Sequence, residues 1–186
     1  LEQTLKDSGI SYAILRPAVL FGDQGILINN IAWFLRRFPI FPVPGNGEYR
    51  LQPILAQDLA ELAVQYGGRT DDVTIDAVGP ETYTFNELLS LIKNVIHSRA
   101  RIIHVNPSLA LMSVGILNHI VQDVIMTPDE VKGLHANLLI SAQSPTAPTR
   151  LSDWLSQNAH WLGVKYMSEL KKHYKTSPKS PPCDKI

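Results

Sequence analysis

The residues able to do chemistry are few and scattered. Six histidines, His97, His104, His119, His135, His160 and His173, never stand three or four apart, and Cys183 is the single cysteine. Zinc-type sites draw ligands from such close spacings, so no metal centre is expected. The chain has no Gly-x-Ser-x-Gly elbow and no phosphate loop ending in Gly-Lys-Ser/Thr, which removes an α/β-hydrolase nucleophile and a Walker-type nucleotide site. Tyr12 and Arg16 imitate a Tyr-x-x-x-Lys pair. On a strand, however, residues four apart lie roughly 13 Å apart, against about one helical turn in a working dyad. No catalytic residue is therefore assigned within these 186 residues.

One turn offers binding chemistry. Gly22-Asp23-Gln24-Gly25 separates an apolar run from a helical pattern, so free backbone N–H groups there could face an anion. A dinucleotide fingerprint needs three glycines, and position 28 is Ile. Two glycines easing a strand into a helix are the preferred account of the turn over a phosphate site. Gln24 stands in it as a candidate substrate-binding residue.

The elements that would position this turn are set by local signals. Ser11–Leu15 is a short apolar run ended by Arg16-Pro17, the form of a buried parallel strand. Residues 26–37 carry apolar residues at helical spacing with Arg36 and Arg37 in the last turn. Phe41–Val43, the turn Pro44-Gly45-Asn46-Gly47 and Glu48–Leu51 read as a hairpin. Asp58 is the expected cap of a helix ending at Gly67-Gly68. Val73–Val78 reads as a strand. Thr84 with Glu87 forms a capping box, with Tyr83 and Leu88 as its hydrophobic staple. Arg101–Val105 is a further strand, a long helix comes after Pro107, another opens at Thr127-Pro128, and helical pieces surround Trp154, Trp161 and Tyr166.

Strand–helix alternation of this kind predicts an α/β fold with parallel pairing. Three segments are expected: an α/β piece over 1–78 with the inserted hairpin, a mainly helical lobe over 79–174, and a disordered Pro/Ser/Lys tail over 175–186. Trp154 and Trp161 are expected to help the lobe build its own core. Leu1 and Leu5 share a helix face that opens without a cap, which reads as a chain starting mid-helix, through truncation or processing. Cys183 is fourth from the end, but Asp184 and Lys185 are not the aliphatic residues prenylation requires. A strand such as Ser11–Leu15, apolar on both faces, calls for a neighbour on each side, so an open edge and marginal stability are expected.

Composition narrows the functional classes. With 17 basic and 17 acidic side chains and 45% apolar residues, the chain lacks the basic excess of a general nucleic-acid binder and the composition of a disordered protein. Its most apolar stretch, 108–126, is broken by Asn118, His119, Gln122 and Asp123, too soon for a membrane span. One cysteine excludes an internal disulfide framework and favours a reducing compartment, cytoplasm or organelle interior.

Several stretches together resemble one superfamily. Ser8 to Gly22, with Arg16-Pro17-Ala18-Val19 at its centre, resembles the sixth strand of extended and atypical short-chain dehydrogenase/reductases, the NAD-dependent epimerase/dehydratase group. Val43–Gly47 through Pro53-Ile54 and Asp58-Leu59-Ala60 is similar to the stretch that succeeds that strand in these proteins. Val78-Gly79-Pro80-Glu81 with Thr84-Phe85 and Glu87-Leu88 fits a further pattern of theirs. The likeness is closest to the group around the nucleotide-binding accessory subunit of respiratory complex I, and the end, Asp153-Trp154-Leu155 to Tyr166, fits it too.

This resemblance implies the C-terminal portion of a Rossmann-like doubly wound parallel sheet with a substrate-side lobe, and NAD or NADP as cofactor of the complete protein. It implies that the Gly-rich turn and Tyr-x-x-x-Lys pair precede residue 1, so the N-terminal half of the same protein is a partner. Backbone atoms of Pro17, Ala18 and Val19 would lie beside the nicotinamide, although Pro17 also serves as a strand terminator. Arg50 is near the place where relatives hold substrate phosphates, one residue out of register with the Asp58 helix; a guanidinium suits that task. The parent is then an oxidoreductase, epimerase or dehydratase acting on a small molecule, or a non-catalytic accessory protein with membrane-complex subunits as partners.

Overall fold

The computed structural model describes residues 2–106 and 139–168. The helices expected after Pro107 and at Thr127, the 175–186 tail and Cys183 lie outside the described residues. In chain order the elements are α1 (Glu2–Lys6), β1 (Ala13–Pro17), β2 (Val19–Phe21), α2 (Ile26–Arg37), β3 (Ile40–Pro44), β4 (Arg50–Leu51), β5 (Pro53–Leu55), α3 (Ala56–Gly67), β6 (Val73–Ala77), β7 (Tyr83–Thr84), α4 (Phe85–Val95), β8 (Arg101–Val105) and α5 (Leu151–Asn158).

Three strand pairs are parallel. β1 pairs with β6 (Ala13 opposite Val73), β2 with β5 (Val19 opposite Pro53), and β3 with β8 (Ile40 opposite Arg101). Parallel strands require crossover connections, which the intervening helices supply. β1 begins two residues later than the apolar run suggested and takes in Arg16 and Pro17. Proline lacks a donor and is tolerated on an edge strand; among the described residues β1 has β6 as its single strand neighbour.

The expected hairpin does not form. β3 pairs with β8, and β4 pairs antiparallel with β7. The turn between them exists, with Gly45 and Gly47 both at φ 68°, but its flanks are claimed by other partners. The Phe85 N–H donates to the Tyr49 carbonyl and the Asn86 N–H to the Gly47 carbonyl. The Asn86 Nδ2 group donates to the Asn46 carbonyl at 2.8 Å and to Glu48 Oε1 at 2.9 Å. The start of α4 thus satisfies groups that a hairpin partner would have used. Pro42 and Pro44 in addition remove two donors from one arm.

The capping box at α4 is present: Thr84 Oγ1 accepts from the Glu87 N–H, and Glu87 Oε2 accepts from the Thr84 N–H. Asp58 is not a cap. β5 runs into α3 without a connecting residue, so the cap position falls on Leu55, which has no side-chain acceptor. Asp58 instead lies buried in the first turn, where its carboxylate accepts from the Thr149 N–H at 3.1 Å and hydroxyl at 3.0 Å.

The main core gathers Val19 and Phe21 of β2, Ile28, Ile31, Ala32 and Leu35 of α2, Phe85, Leu88, Leu89 and Ile92 of α4, and Leu151 and Leu155 of α5. Burial of each such side chain contributes about 1.5–3 kcal/mol. Trp154 and Trp161 do not build a separate core. Trp154 meets Phe21 edge-on at 5.5 Å and Trp161 at 5.7 Å, because α2 and α4 each bury one apolar face and α5 closes the same space.

Two asparagines fasten the chain after α5. Asn29 Oδ1 accepts from the Gly163 N–H, Asn29 Nδ2 donates to the Lys165 carbonyl, and Asn30 exchanges both bonds with the Met167 backbone. Gly163 sits at φ 70°, and a Cβ there would stand 2.5 Å from the Ala32 and Trp33 backbones. Gly9 shares that φ but faces open space. Gly163→Ala should therefore cost about 3 kcal/mol or more in urea unfolding, and Gly9→Ala about 1–2 kcal/mol. Equal losses would show that the α2 contact does not constrain position 163.

Candidate functional site

Two places gather candidate residues. The first is a cavity of about 770 Å³ beyond the carboxyl ends of β2 and β5. Phe21 and Leu55 are opposite one another in the register, so both strands stop at one level and their helices start there. Gly22–Gly25 leads into α2, with the Gly25 N–H donating to the Gly22 carbonyl at 2.9 Å and Gly22 at φ 140°. Trp154 of α5 walls the opposite side. Ligands of open α/β sheets gather at this end of the strands, and both helix N-termini face it.

The cavity lining is largely uncharged. Asp23 is its one ionisable group, and the polar remainder is the carboxamides of Gln24, Gln57, Gln157 and Asn158. Asn158 is already engaged: its Nδ2 donates to the Trp154 carbonyl, and its Oδ1 accepts from Trp161 Nε1. Gln57 donates to Glu61 at 3.3 Å. This arrangement can orient a neutral polar molecule against an indole. It offers no cation for a phosphate.

The second place is the carboxyl end of β1. Pro17 is exposed, Ala18 half-buried, and Val19 buried in the core. Pro17 lies opposite Ala77 of β6, and the chain continues through Val78 to Gly79, where a Cβ would fall 2.1 Å from the Pro53 carbonyl oxygen.

Of the residues singled out from sequence, Gln24 lines the cavity, whereas Pro17, Ala18, Val19 and Arg50 do not. Arg50 is exposed on β4, opposite Thr84. It faces Glu87, whose carboxyl is held below its ordinary value by the Thr84 hydrogen bonds first and the Arg50 charge last. Among the described residues no cluster of three or more His, Cys, Asp or Glu could hold a metal ion.

Sequence reasoning missed a carboxylate network that ties residues 139–152 to the strands. Ser141 Oγ donates to Asp76 at 2.7 Å, and Gln52 Nε2 donates to the Gly79 carbonyl while its Oε1 accepts from the Ser141 N–H. Glu81 accepts from the Ser152 N–H and hydroxyl and from Arg150. Burial pushes the Glu81 carboxyl up, but these bonds and one from Tyr83 outweigh it and hold it at about 2. Glu81 and its partners Arg150 and Ser152 are about 70 positions apart in sequence, beyond any local motif.

No protein-family model matches the chain. It is 24% identical over 148 residues to the NADH-ubiquinone oxidoreductase 40 kDa subunit, mitochondrial, of Neurospora crassa, covering 78% of this chain and 38% of that protein. It is 26% identical over 91 residues to NADH dehydrogenase [ubiquinone] 1 alpha subcomplex subunit 9, mitochondrial, of Arabidopsis thaliana, covering 47% and 23%. The chain thus spans between about a quarter and two fifths of these relatives. Among solved structures it is similar to UDP-N-acetylglucosamine 4-epimerase from Methanobrevibacter ruminantium in complex with UDP-N-acetylmuramic acid, with TM-score 0.55, 15% identity, and 86% and 49% coverage. A GDP-mannoheptose C4 reductase from Campylobacter jejuni with NADP bound gives TM-score 0.51 at 15% identity, with 86% and 52% coverage.

The parallel strand pairs and these neighbours define a Rossmann-like fold shared with these epimerase and reductase structures. Within that fold the sequence is similar to subunits of mitochondrial complex I.

The Glu81 network carries its own prediction. The carboxyl is depressed on folding, so its contribution is complete above its ordinary value of 4.5 and is lost as pH falls through about 2. Glu81→Gln should cost about 1–3 kcal/mol near neutral pH. It should also flatten the fall in urea-measured stability between pH 5 and 2, in the range set by these two values. An unchanged pH profile would contradict the network.

Proposed function

We propose that this chain is the C-terminal, substrate-side part of an NAD(P)-binding short-chain dehydrogenase/reductase-like protein of the oxidoreductase, epimerase or dehydratase type. The observation that carries the reading is β1. It is a parallel strand with one neighbour among the described residues, β6, and its carboxyl end presents exposed Pro17. The N-terminal half of the same protein supplies the second neighbour, together with the Gly-rich turn and the Tyr-x-x-x-Lys pair that this sequence lacks.

The residues present fit one end of a dinucleotide. Backbone groups of Pro17 and Ala18, with Val19 anchored in the core behind them, suit the flat nicotinamide. NAD or NADP, when bound, supplies hydride chemistry. Gln24 orients a small-molecule substrate from the α2 turn. The cavity lining has no cationic side chain, so Arg50, on its separate surface, is the one assigned side chain suited to a phosphate. This chain's residues bind and orient; they move no proton.

A second reading rests on the sequence likeness to complex I subunits. In it the parent binds nucleotide without turnover and stabilises a membrane complex by contact with its subunits, in a reducing organelle interior. The reading frame upstream discriminates. A Gly-rich turn with an intact Tyr-x-x-x-Lys supports the enzyme, and the turn without the pair supports the accessory protein.

The isolated 186-residue chain should show no steady-state hydride transfer with NADH or NADPH. General acid–base groups supply about two to four orders of magnitude in rate, and the chain has no such pair. Turnover that is abolished by a substitution within these residues would overturn the proposal.

A further inference from the structure

The chain balances 17 bases against 17 acids, yet the charge is segregated. Residues 24–47, 88–106 and 154–168 contain no Asp or Glu. These segments meet where α2 and α4 end. The Ser98 hydroxyl donates to the Leu35 carbonyl, the Arg101 N–H donates to the Pro39 carbonyl at 2.8 Å, and the Arg36 guanidinium donates to the Leu162 and Ala159 carbonyls. The surface so formed carries Arg36, Arg37, Lys93, Arg99 and Arg101, and Lys165 stands further along α2, its carbonyl accepting from Asn29. Arg16, Arg69 and Arg150, outside this surface, are ion-paired.

Structural needs account for part of this set. Arg36, Arg37 and Lys93 complement helix C-terminal dipoles, and Arg36 caps two carbonyls. Arg99, Arg101 and Lys165 are exposed and have no such role. Beside them runs a chain of half-buried rings. Trp33 lies 5.2 Å from Tyr166 and 5.8 Å from Phe38, and Phe34 lies 6.4 Å from Phe41. The Arg37 guanidinium sits 5.7 Å above Trp33, and Ile40 is 49% exposed.

We propose that this cationic, aromatic end of the described structure docks on the anionic headgroup layer of a phospholipid membrane. Trp and Tyr rings settle at the headgroup level, and each nearby Lys or Arg is attracted by anionic lipid. No helix among the described residues is long and apolar enough to cross a membrane, so the attachment is peripheral. An acidic protein would satisfy the cations, but the exposed Ile40 and the ring cluster match a layer that is polar above and apolar below. The inference is independent of nucleotide binding and stands or falls separately.

Flotation of the full chain with vesicles tests it. Vesicles of phosphatidylcholine with phosphatidylserine should carry the protein up, those of phosphatidylcholine alone should not, and high salt should release it. The double variant Arg99→Glu/Arg101→Glu should weaken binding at least about tenfold, and Ile40→Ser should weaken it several-fold at unchanged circular dichroism. Lys6→Glu, on the distant α1, should bind as the parent does. Lys165→Glu serves if the double variant fails to fold. Failure to float with anionic vesicles, equal flotation with neutral ones, or indifference to both Arg99→Glu/Arg101→Glu and Lys165→Glu would overturn the proposal. Capture of polyglutamate without vesicle binding would assign the face to an acidic protein instead.

Discussion

Burial of one face of α2 organises most of what is described. Ile28, Ile31, Ala32 and Leu35 turn inward against β2, α4 and α5, and all are 5% exposed or less. Through Asn29 and Asn30 the same helix holds the backbone at 163–167, and through the Leu35 carbonyl it holds Ser98. α2 begins at the Gly22–Gly25 turn and ends at the cationic surface, so its placement fixes both the cavity and the proposed membrane face. A helix with buried polar side chains can do this only if every polar atom is paired. Among the described residues no buried side-chain N or O atom lacks a partner.

The β1–β6 pair stands outside that core. Its own cluster is small, Ile54, Ala77 and Ala147 with Leu59 and Leu62 against it. α1 buries no residue and α3 buries only Asp58, while Ile10 and Val64 are 66% and 79% exposed. Hydrogen bonds do more here than apolar contact: Asp58 to Thr149, Asp76 to Ser141, and Val78 to Thr146. The imbalance has a functional consequence. β1, whose carboxyl end is proposed to face the nicotinamide, is thinly supported by the residues described, and under that proposal it needs a further structural neighbour to hold a ligand rigidly.

The features legible in the sequence are those that neighbouring residues decide among themselves. The bounds of α2, the Thr84–Glu87 box and the extent of β8 are all set by side chains within one or two turns of each other, and all three are found. Strand partners were not legible, because β3 meets β8 some sixty positions away and the local turn at Gly45–Gly47 suggested a nearer partner. Asp58 departs from the expected cap for a related reason. Its attraction to a helix start is real, but the strand before it leaves no gap, and Thr149 supplies a better donor pair. Glu81 and the α2 asparagines bond to residues about 70 and more than 130 positions distant, where no spacing rule reaches. The roles of Pro17, Ala18, Val19 and Arg50 came from resemblance and not from local physics.

In the proposed reading one part of this molecule completes its own core and another, the β1–β6 sheet, is built to receive a neighbour. Native-state hydrogen exchange on a sample shown by light scattering to be monomeric tests it most directly. The amides of Ala13–Arg16 should exchange at least about a hundredfold faster than those of Leu88–Ile92, because local opening of a thinly packed edge costs far less than global unfolding. Uniformly strong protection of β1 and α4 in the monomer would show that no packing partner is missing, and the reading of β1 as a half-built site would have to be abandoned.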